Sequence, residues 1–556
     1  MTNRLLTQLR DTNSSKNDRG FKRSTGQVLA ATLLCLFVVG VQGASAATWV
    51  VDDDLVQCPA ANFTSIQAAI NVAASGDTID VCPGTYRENL VLNKSLTLLG
   101  AQDGVNACGR VATESILRPP LLNPASLILE LDTGSAGSII DGFSFVGGTR
   151  AIESDTGPID NLQILNNRVV EFTNAGVFLN DNGLNITVNQ NEIDGSNKVG
   201  GGGLFHLDQD NFDGFWFTNN CVVNGITGTG FIVDGNRNVG ASGTRRPLFS
   251  GNFIDNNGTG TNLGRLAFED GTISSNTFSN NRFDGLQGGP KNTLITTNSF
   301  DGNGRDGLAL TGFGGTLDPT RGAQGNSVIK NCFTANGFTM AGAGIVFSAT
   351  QFAGTIATNT ANENNIFGNF TGARYTGSET INAENNWWGS PTGPTHVNNP
   401  GGTGDIVVDN GPLPGGIDYD PFRTTPAGGT PCIPTPPPAG KVTGGGQINV
   451  VGGRGSFGFN ARQDDGVGSG HLTYHNHATG AQLNCTVTAI TMLTTTTAEF
   501  SGTCSADSTA PFFSAHVEDH GEPGVQSGDK FVITYGVVMA EGGTIRSGNI
   551  QIHIRP

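Results

Sequence analysis

Residues 276–300 read NTFSNNRFDGLQGGPKNTLITTNSF, and this stretch begins and ends with the same pattern: Asn, any residue, then a large apolar residue. The pattern recurs along the chain at intervals of 21 to 34 residues. Its copies are Asn167-Arg168-Val169, Asn191-Glu192-Ile193, Asn220-Cys221-Val222, Asn252-Phe253-Ile254, Asn276-Thr277-Phe278, Asn298-Ser299-Phe300, Asn331-Cys332-Phe333, Asn365-Ile366-Phe367 and Asn386-Trp387-Trp388. A repeat of this length indicates stacked units, because one unit of this size cannot bury its own apolar side.

Most copies are followed by a polar turn and a short strand that begins with Gly, as in Gly176-Val177-Phe178-Leu179 and Gly307-Leu308-Ala309-Leu310. Short strands without a long helical pattern are typical of a β-solenoid. Asn side chains stacked at the strand spacing of about 4.8 Å can hydrogen-bond to each other and to the turn backbone. We therefore predict that Asn276 and Asn298 point into the coil.

Composition agrees with a coil that turns sharply and often. Gly accounts for 82 of the 556 residues, about twice its usual share of roughly 7%, and Gly tolerates the left-handed backbone that tight corners require. Charged residues make up only 14% of the chain, which argues against a disordered protein.

Residues 1–46 have the features of a secretion signal. A basic segment that includes Arg4 and Arg23 precedes the apolar run from Val28 to Val41, and Ala44-Ser45-Ala46 fits a cleavage site. The apolar run is shorter than the roughly 20 residues of a membrane-spanning helix, although an uncleaved anchor is the alternative. We predict a secreted, extracellular or cell-surface protein, with the periplasm as a further option, and no membrane span after cleavage.

The predicted mature chain is strongly acidic. The signal holds six basic and two acidic residues, so the remainder carries 24 Lys and Arg against 45 Asp and Glu, a net charge of about −21. This charge argues against nucleic acid and anionic membranes as partners. It also disfavours acidic polysaccharides unless a local basic patch or bound Ca²⁺ intervenes.

Of the nine Cys residues, Cys35 lies in the signal, and eight remain in the predicted mature chain, an even number that permits disulfides in an exported protein. Cys485 and Cys504 are equidistant from a predicted hairpin turn at Thr494-Thr495, so they should face each other. Cys58 and Cys82 are a second candidate pair. Cys221 and Cys332 occupy equivalent positions about four rungs apart, roughly 19 Å, which is too far for a bond.

The mature chain opens with a strand and then a helical pattern in which Ser65 is the N-cap and Ile66, Ala69, Ile70 and Ala73 share one face. We expect residues 65–75 to form a helix that caps the first coil, since an uncapped solenoid exposes its apolar interior.

Two further segments carry a family resemblance. Gly76-Asp77-Thr78-Ile79-Asp80-Val81-Cys82-Pro83-Gly84-Thr85-Tyr86, followed by Lys94-Ser95-Leu96-Thr97-Leu98-Leu99-Gly100, resembles the opening of right-handed parallel β-helix proteins of the pectin-lyase-like superfamily. Asn385-Asn386-Trp387-Trp388-Gly389 resembles the closing segment of many secreted bacterial members. The resemblance covers roughly residues 48–425 and implies an all-β, right-handed parallel β-helix, to which we assign residues 47–425, but no particular function.

Residues 426–440 are rich in Pro and predict an extended, semi-rigid linker. Residues 441–556 alternate apolar and polar side chains in short runs, which predicts a small antiparallel β-sandwich. Pieces such as Gly444-Gly445-Gly446-Gln447-Ile448 and Gly548-Asn549-Ile550-Gln551-Ile552 resemble a β-rich module found at the C-termini of secreted bacterial proteins, a resemblance that implies no activity.

A line of carboxylates is the first candidate site. Asp181, Asp208, Asp234 and the pair Glu269 and Asp270 each close a Gly-led strand of successive repeats. On stacked rungs, adjacent carboxylates would lie about 5 Å apart, a separation that suits a retaining glycosidase pair or Ca²⁺ ligands. Three interpretations stay open: turn residues, which we place first, a Ca²⁺ site, and catalysis.

Two clusters that contain His are further candidates. If Phe205 and Leu207 point inward, His206, Asp208 and Asp210 face solvent beside Trp216 and could bind sugar; otherwise His206 is buried. In the C-terminal module, two strands placed side by side could form a metal site. Its candidate ligands are His471, His475, His477, His516, Glu518 and His520. A solvated polar face is the alternative in both cases.

Two functions follow from these patterns. The first is a non-catalytic surface or matrix protein that binds extracellular polysaccharide along the solenoid. The second is a polysaccharide lyase or glycoside hydrolase for an acidic glycan, acting near Asp208 and Asp234. The solenoid lacks the Gly-His-Gly and Arg-Ile-Lys of β-helix polygalacturonases and the Asp-Pro-His-Asp of β-helix alginate epimerases. The sequence indicates neither a particular substrate nor an oligomeric state.

Overall fold

The computed structural model describes residues 46–554, apart from residues 155, 181, 197–201, 209–211, 235–243, 264–267, 312–321, 349–355, 376, 378, 410–415, 433–439, 465–466, 493–495 and 536–537. The predicted signal, up to Ser45, therefore lies outside the described residues. Within them, the helices are Ile66–Val72 and Gly524–Ser527, and neither is long and apolar enough to cross a membrane.

The first part of the described chain coils through three parallel sheets, A, B and C, to which successive coils add strands. Sheet A has 14 strands: Thr48–Val51, Thr78–Val81, Thr97–Leu99, Ile139–Asp141, Gln163–Leu165, Thr187–Asn189, Trp216–Thr218, Leu248–Ser250, Thr272–Ser274, Leu294–Thr296, Ser327–Ile329, Thr360–Asn362, Ile381–Asn382 and Ile417–Asp418. Sheet B has 11: Gly84–Arg87, Ser115–Arg118, Phe143–Val146, Arg168–Val170, Glu192–Asp194, Cys221–Val223, Phe253–Asp255, Thr277–Ser279, Ser299–Asp301, Cys332–Thr334 and Asn365–Phe367.

Sheet C has 13 strands: Leu90–Leu92, Leu129–Leu131, Arg150–Ser154, Ala175–Leu179, Gly203–Asp208, Thr229–Asp234, Thr259–Asn262, Leu286–Gly288, Leu308–Thr311, Ile345–Ser348, Ala373–Tyr375, Gly404–Val408 and Pro394–Thr395. A short sheet D, which precedes sheet A in four middle coils, consists of Gly183–Leu184, Phe212–Asp213, Thr244–Arg245 and Phe268–Glu269. These parallel sheets are the predicted β-helix.

Left-handed corners separate sheet A from sheet B. One residue at each corner has a positive φ: Asn166, Gln190, Asn219, Gly251, Ser275, Thr297, Lys330, Glu363 and Asn385. For residues other than Gly this conformation costs roughly 1–2 kcal/mol. The fold therefore needs a compensating interaction at the same corner of every coil.

A column of buried Asn side chains supplies that interaction. Each Asn directly follows a corner residue, and its Oδ1 accepts a hydrogen bond of 2.8–3.0 Å from the backbone N–H one rung earlier. Its Nδ2 donates to a backbone carbonyl of the preceding coil, as Asn298 does to Ile273 at 2.9 Å. The column comprises Asn167, Asn191, Asn220, Asn252, Asn276, Asn298, Asn331, Asn364 and Asn386, all buried. The predicted inward orientation of Asn276 and Asn298 is confirmed.

One predicted member of the column is wrong by a residue. Asn364, not Asn365, bonds to Asn331 and Asn386, because the corner falls at Glu363 and turns the next side chain inward. Asn365 instead lies on the outer side of sheet B, where its amide holds the backbone of Ala427.

A second Asn column at the corner between sheets B and C went unnoticed in the sequence. It comprises Asn257, Asn281, Asn303, Asn336 and Asn369 and ends on the carboxylate of Asp405. Inside the coil, Phe278, Phe300 and Phe333 stack with centroid separations of 4.9 and 4.8 Å, one rung apart. The polar corners and the apolar interior thus repeat in the same register.

The helix Ile66–Val72 covers the first coil, as predicted. Ser65 is its N-cap, and the Glu88 carboxylate accepts the free N–H groups of Ile66 and Gln67 at 2.9 and 3.0 Å. Ile66, Ala69 and Ile70 are fully buried, so this helix closes the apolar interior at that end.

The predicted bonds Cys485–Cys504 and Cys58–Cys82 are both present. Cys221 and Cys332 do not pair with each other, as expected, but bond to Cys108 and Cys432. These two bonds tie segments distant in sequence to the outer face of sheet B. The described part of the predicted linker, residues 426–432, is consequently fixed there by Cys432 and by the Asn365 amide, whereas residues 433–439 lie outside the described part.

The C-terminal part is all-β and antiparallel, as predicted. Its nine strands form one sheet in the order Val538–Thr544, Lys530–Tyr535, Phe512–Glu518, Thr497–Cys504, Gln482–Met492, Val467–Asn476, Gly453–Asp464, Gly440–Val450 and Ser547–Ile554. The expected two-layer sandwich is replaced by this single sheet, a half-barrel that encloses side chains such as Phe459, Phe531 and Tyr474. Long twisted strands allow one sheet to curl around its own core.

We expect Asn298→Leu to destabilise the coil although Leu is more apolar. The change leaves the carbonyl of Ile273 and the N–H of Asn276 without their partners, whereas the Oδ1 of Asn331 keeps the backbone N–H of residue 298. Unpartnered buried groups cost about 1–3 kcal/mol each, so denaturant unfolding should show a loss of about 2 kcal/mol or more. Thr296→Leu, on the outer face of the same coil, is the control and should change stability by less than about 1 kcal/mol. Equal effects would contradict the structural role of the column.

Candidate functional site

Two positions of the predicted carboxylate line are in backbone register. Asp208 and Asp234 lie opposite each other on adjacent strands of sheet C, so their backbones are about 4.8 Å apart. Phe205 and Leu207 are buried, which places His206 and Asp208 on the outer face. Asp181 and Asp210 fall outside the described residues, and the side chain of Asp234 is not described.

Glu269 and Asp270 do not belong to this line. Glu269 lies in sheet D, where it pairs with Arg245, and Asp270 is the exposed, positive-φ corner residue that follows. The strand Thr259–Asn262 takes the place in sheet C that the sequence analysis gave to them. The prediction failed because these coils contain an additional short strand between sheets C and A.

The expected cluster of His206 and Trp216 is also divided between two faces. His206 packs edge-on against Phe178 in sheet C, with ring centroids 5.0 Å apart, and the Arg150 guanidinium lies 3.8 Å from the centre of the Phe178 ring. Trp216 is in sheet A. The predicted sugar-binding residues therefore do not form one site.

Trp216 instead marks a strip formed by the outward side chains of sheets A and D. Its side chain points away from the core, since its neighbour Phe217 is buried, and it is 46% exposed. Thr187 and Leu248 flank it on the adjacent rungs, both half-buried. Exposed Leu184 lies on the same strip in sheet D. We call this surface the Trp216 strip.

Charged side chains line the sheet D side of the strip. Asp213, Arg245 and Glu269 follow one another on successive rungs, so opposite charges are neighbours and repulsion between rungs is avoided. Arg246 donates to Asp213 at 2.7 Å, and this hydrogen bond holds the pKa of Asp213 below its usual value. The strip thus presents an aromatic surface beside both kinds of charge.

A pair of buried carboxylates went unnoticed in the sequence. Asp284 and Asp306 precede Gly285 and Gly307 in consecutive coils, and in the sequence alone Asp-Gly is an ordinary turn signal. The repeated Asp-Gly-Leu, 22 residues apart, is the signal that could have revealed them. Arg305 donates to both oxygens of Asp284.

The two carboxylates support the corner between sheets B and C. Asp284 accepts the N–H of Asp306 at 3.1 Å, and Asp306 accepts the N–H of Ala343 at 2.8 Å. Burial and the nearby Asp284 charge raise the pKa of Asp306 to about 7. The Asp284 side chain is completely covered and that of Asp306 is only 11% exposed. The pair therefore serves the coil rather than a bulky substrate.

The predicted six-ligand metal site is not assembled. The strand that carries His471 and His475 is separated from the strand of His516 and Glu518 by two other strands. His475 and His477 are close, with ring centroids 4.1 Å apart, but no third ligand is in reach among the described residues. There, the group of three ligands that does come together is Asp52, Asp53 and Asp54, each of which accepts a backbone N–H.

His516 and Glu518 instead belong to a network where the half-barrel meets the solenoid. The His516 ring lies between the carboxylates of Glu499 and Glu518, each at 3.3 Å, and beside the Phe338 ring of the solenoid. Burial opposes the charge of His516, but these two carboxylates outweigh it and raise its pKa to about 9. The His516 bond and Lys530 lower the pKa of Glu518 to about 2. The His516–Glu518 pair is therefore ionised within one strand of the half-barrel, and the contact across the junction is that of the His516 ring with Phe338.

Comparison with known proteins agrees with the fold. A model described as the right handed beta helix region matches residues 202–387. The Dettilon tailspike protein (gp208) is similar at 12% identity and a TM-score of 0.36, covering 86% of this chain and 87% of that one. The tailspike protein gp49 of Acinetobacter baumannii bacteriophage Fri1, a capsular polysaccharide depolymerase, is similar at 9% identity and 0.31, covering 92% and 84%.

The periplasmic alginate epimerase AlgG is similar at 11% identity and a TM-score of 0.30, covering 62% of this chain and 76% of that one. No curated protein matches the chain significantly. The family match and the parallel sheets confirm a right-handed parallel β-helix. Likeness at these identities concerns the fold alone.

We expect Asp306→Asn to stabilise the protein at alkaline pH relative to the wild type. The folded carboxyl keeps its proton until about pH 7, whereas an unfolded Asp ionises near pH 4. The stability that this proton contributes is complete below pH 4 and is lost as the pH rises through 7. Between pH 5 and 8 the wild type should lose roughly 2 kcal/mol that the variant keeps.

Chemical unfolding at both pH values measures this difference. The amide introduced by Asp306→Asn retains an oxygen for the N–H of Ala343, so the corner hydrogen bond is preserved. Asp301→Asn, at an exposed position one strand earlier, is the control and should follow the wild type. An Asp306→Asn variant with the same pH dependence as the wild type would show that Asp306 is ionised throughout.

Proposed function

We propose that the protein is an extracellular polysaccharide-binding protein, without catalysis, whose Trp216 strip contacts the glycan. Four disulfides suit an oxidising compartment outside the cytoplasm, in line with the leader predicted from the sequence. The observation that carries the proposal is the exposure of Trp216 on the outer face of parallel sheet A.

An indole ring on such a face provides what a sugar needs. It offers a large apolar surface for the C–H groups of a sugar ring, and it loses little conformational entropy on binding. Thr187 and Thr272 are outward residues of the same face, and their hydroxyls are available as hydrogen-bonding groups. Asp213, Arg245 and Glu269 add charged partners for sugar hydroxyls or acidic substituents.

The solenoid also suits the shape of a polymer. Outward residues repeat at about 4.8 Å along sheet A, so an extended chain can contact several rungs in succession. Because the sheet is held by the core and the Asn column, binding would require little reorganisation of the protein, which favours affinity.

We expect Trp216→Ala to weaken glycan binding at least tenfold, since a buried aromatic contact contributes more than about 1.4 kcal/mol. A glycan array, followed by titration with the best ligand, measures this. Phe253→Ala is the matched control, because Phe253 is similarly exposed, at 42%, but lies on sheet B. Equal losses in both variants, or none in Trp216→Ala, would contradict the proposal.

The alternative function, a polysaccharide lyase or glycoside hydrolase, is favoured by the registered positions of Asp208 and Asp234. One of these carboxylates could act as general acid and the other as nucleophile or base. In that case the double variant Asp208→Asn, Asp234→Asn should lower the rate of reducing-end release by several powers of ten. Every glycan that binds should be tested for release, with and without Ca²⁺. Binding without release in the wild type supports the non-catalytic function; release that the double change removes supports the enzyme.

A further inference from the structure

Four adjacent strands of the half-barrel differ in charge from the rest of this acidic protein. They are Gly440–Val450, Gly453–Asp464, Val467–Asn476 and Gln482–Met492. They contain three Lys or Arg residues and two His residues, but one acidic residue, Asp464, which Asp465 follows directly. The whole chain holds 30 Lys and Arg against 47 Asp and Glu, so the balance is reversed here. An anionic partner would therefore meet less repulsion on these strands than elsewhere on the chain.

The basic side chains of these strands point away from the core. Strand alternation buries Phe457, Phe459 and Tyr474 and turns the residues between them outward. The outward basic residues are Lys441, Arg454, Arg462 and His471, which are exposed, and His475, which is half-buried. We call the outward side chains of the four strands the half-barrel face.

One end of the half-barrel face brings several of these groups together. The rings of His475 and His477 have centroids 4.1 Å apart, and the backbone N–H of His477 donates to the Arg454 carbonyl at 2.9 Å. The Ser456 hydroxyl lies 3.0 Å from Nε2 of His477. Partial desolvation and repulsion from His475 and Arg454 lower the pKa of His477. An anionic group placed here would relieve that repulsion and would be attracted by the permanently charged Arg454 guanidinium.

A second basic group lies at the opposite end of the half-barrel face. Lys441 pairs with Arg462 on the neighbouring strand, whereas Asn449, eight residues along from Lys441, pairs with Arg454. At about 3.4 Å per residue, the two groups are roughly 27 Å apart along the strands. The acidic residues of this region follow Arg462 in the sequence, so the Arg454 end is the more basic one. A small anion can contact one end, but an extended polyanion can contact both and gain from the linkage.

The surface between the two ends favours a sugar polymer over other polyanions. Its outward residues include Thr443, Gln447, Asn460, Thr473 and Asn484, whose hydroxyls and amides can bond to sugar hydroxyls. Among the described outward side chains of these four strands there is no Phe, Tyr or Trp, on which the bases of a single-stranded nucleic acid would stack. Nor do these described side chains include a large apolar one that would insert into a membrane.

We propose that the half-barrel face binds an acidic polysaccharide, whose carboxylate or sulfate groups contact Arg454 and, at the far end, Lys441. The hydroxyls and amides between these residues bond to the sugar hydroxyls. The half-barrel face is distinct from the Trp216 strip of the solenoid, and binding here does not require the strip. It provides the local basic patch that a chain of net negative charge needs in order to hold an acidic glycan.

Biolayer interferometry on the full-length Trp216→Ala variant, with EDTA present, tests the proposal. This variant removes the contact proposed for the solenoid, and EDTA removes cations that would bridge two anions. The probes are dextran sulfate, polygalacturonate, uncharged dextran and single-stranded oligo(dT). We expect at least one acidic polysaccharide to bind about fivefold more weakly in about 100 mM than in about 10 mM NaCl, because the screening length falls from about 30 to about 10 Å. Dextran should not bind, and oligo(dT) should bind more weakly than the acidic polysaccharide.

Two charge reversals locate the contact. Arg454→Glu should weaken binding of the acidic polysaccharide about tenfold, and Lys441→Glu about threefold, since each replaces an attraction by a repulsion. Arg87→Glu is the control, because Arg87 is also exposed but lies in sheet B of the first coil. It changes the net charge equally and should have little effect. All three positions are exposed, so thermal unfolding should be unchanged in each variant.

Absence of saturable binding of both acidic polysaccharides at low salt would overturn the proposal. Equal losses in Arg87→Glu and Arg454→Glu would attribute binding to the net charge of the chain and would overturn it too. Tighter binding of oligo(dT) would identify a nucleic-acid surface instead, and equal binding of dextran would identify a site for neutral glycans. Because every measurement is made in the Trp216→Ala variant, these outcomes are independent of whether the Trp216 strip binds glycan.

Discussion

The fold depends on the buried Asn amide at the corner between sheets A and B. Each coil must turn there through a left-handed residue, which is unfavourable for Gln190, Thr297 or Lys330. The Asn that follows offsets this unfavourable energy with two hydrogen bonds. Its Oδ1 accepts a backbone N–H of the previous rung, and its Nδ2 donates to a backbone carbonyl of the preceding coil. No apolar side chain can replace both bonds, so the same residue type recurs although the intervals between copies vary.

That constraint also explains which parts could be predicted from the sequence. The Asn column, the capping helix and the pairs Cys58–Cys82 and Cys485–Cys504 depend on local spacing, which is visible in the chain. The column was misplaced only at Asn364-Asn365, where two Asn residues offer two registers.

Features that depend on the lateral position of distant segments could not be predicted. The partners of Cys221 and Cys332, Cys108 and Cys432, lie 113 and 100 residues away in segments without a repeat. The candidate site failed for a similar reason: the short sheet D moved Glu269 away from Asp208, and Trp216 faces a different side of the coil from His206. The sequence identified residues of the right type but not the face on which each lies.

If the stacked Asn side chains support the fold, the backbone N–H groups bonded to them should be protected from exchange with solvent. Native-state hydrogen exchange measures this protection. The account predicts that the N–H groups of Asn191, Asn220, Asn252, Asn276 and Asn298, each donated to the Oδ1 of the next Asn, exchange only with global unfolding of the solenoid. Exchange of these N–H groups as fast as that of exposed corner residues would contradict it, and the Asn column would then be a consequence of the fold rather than its support.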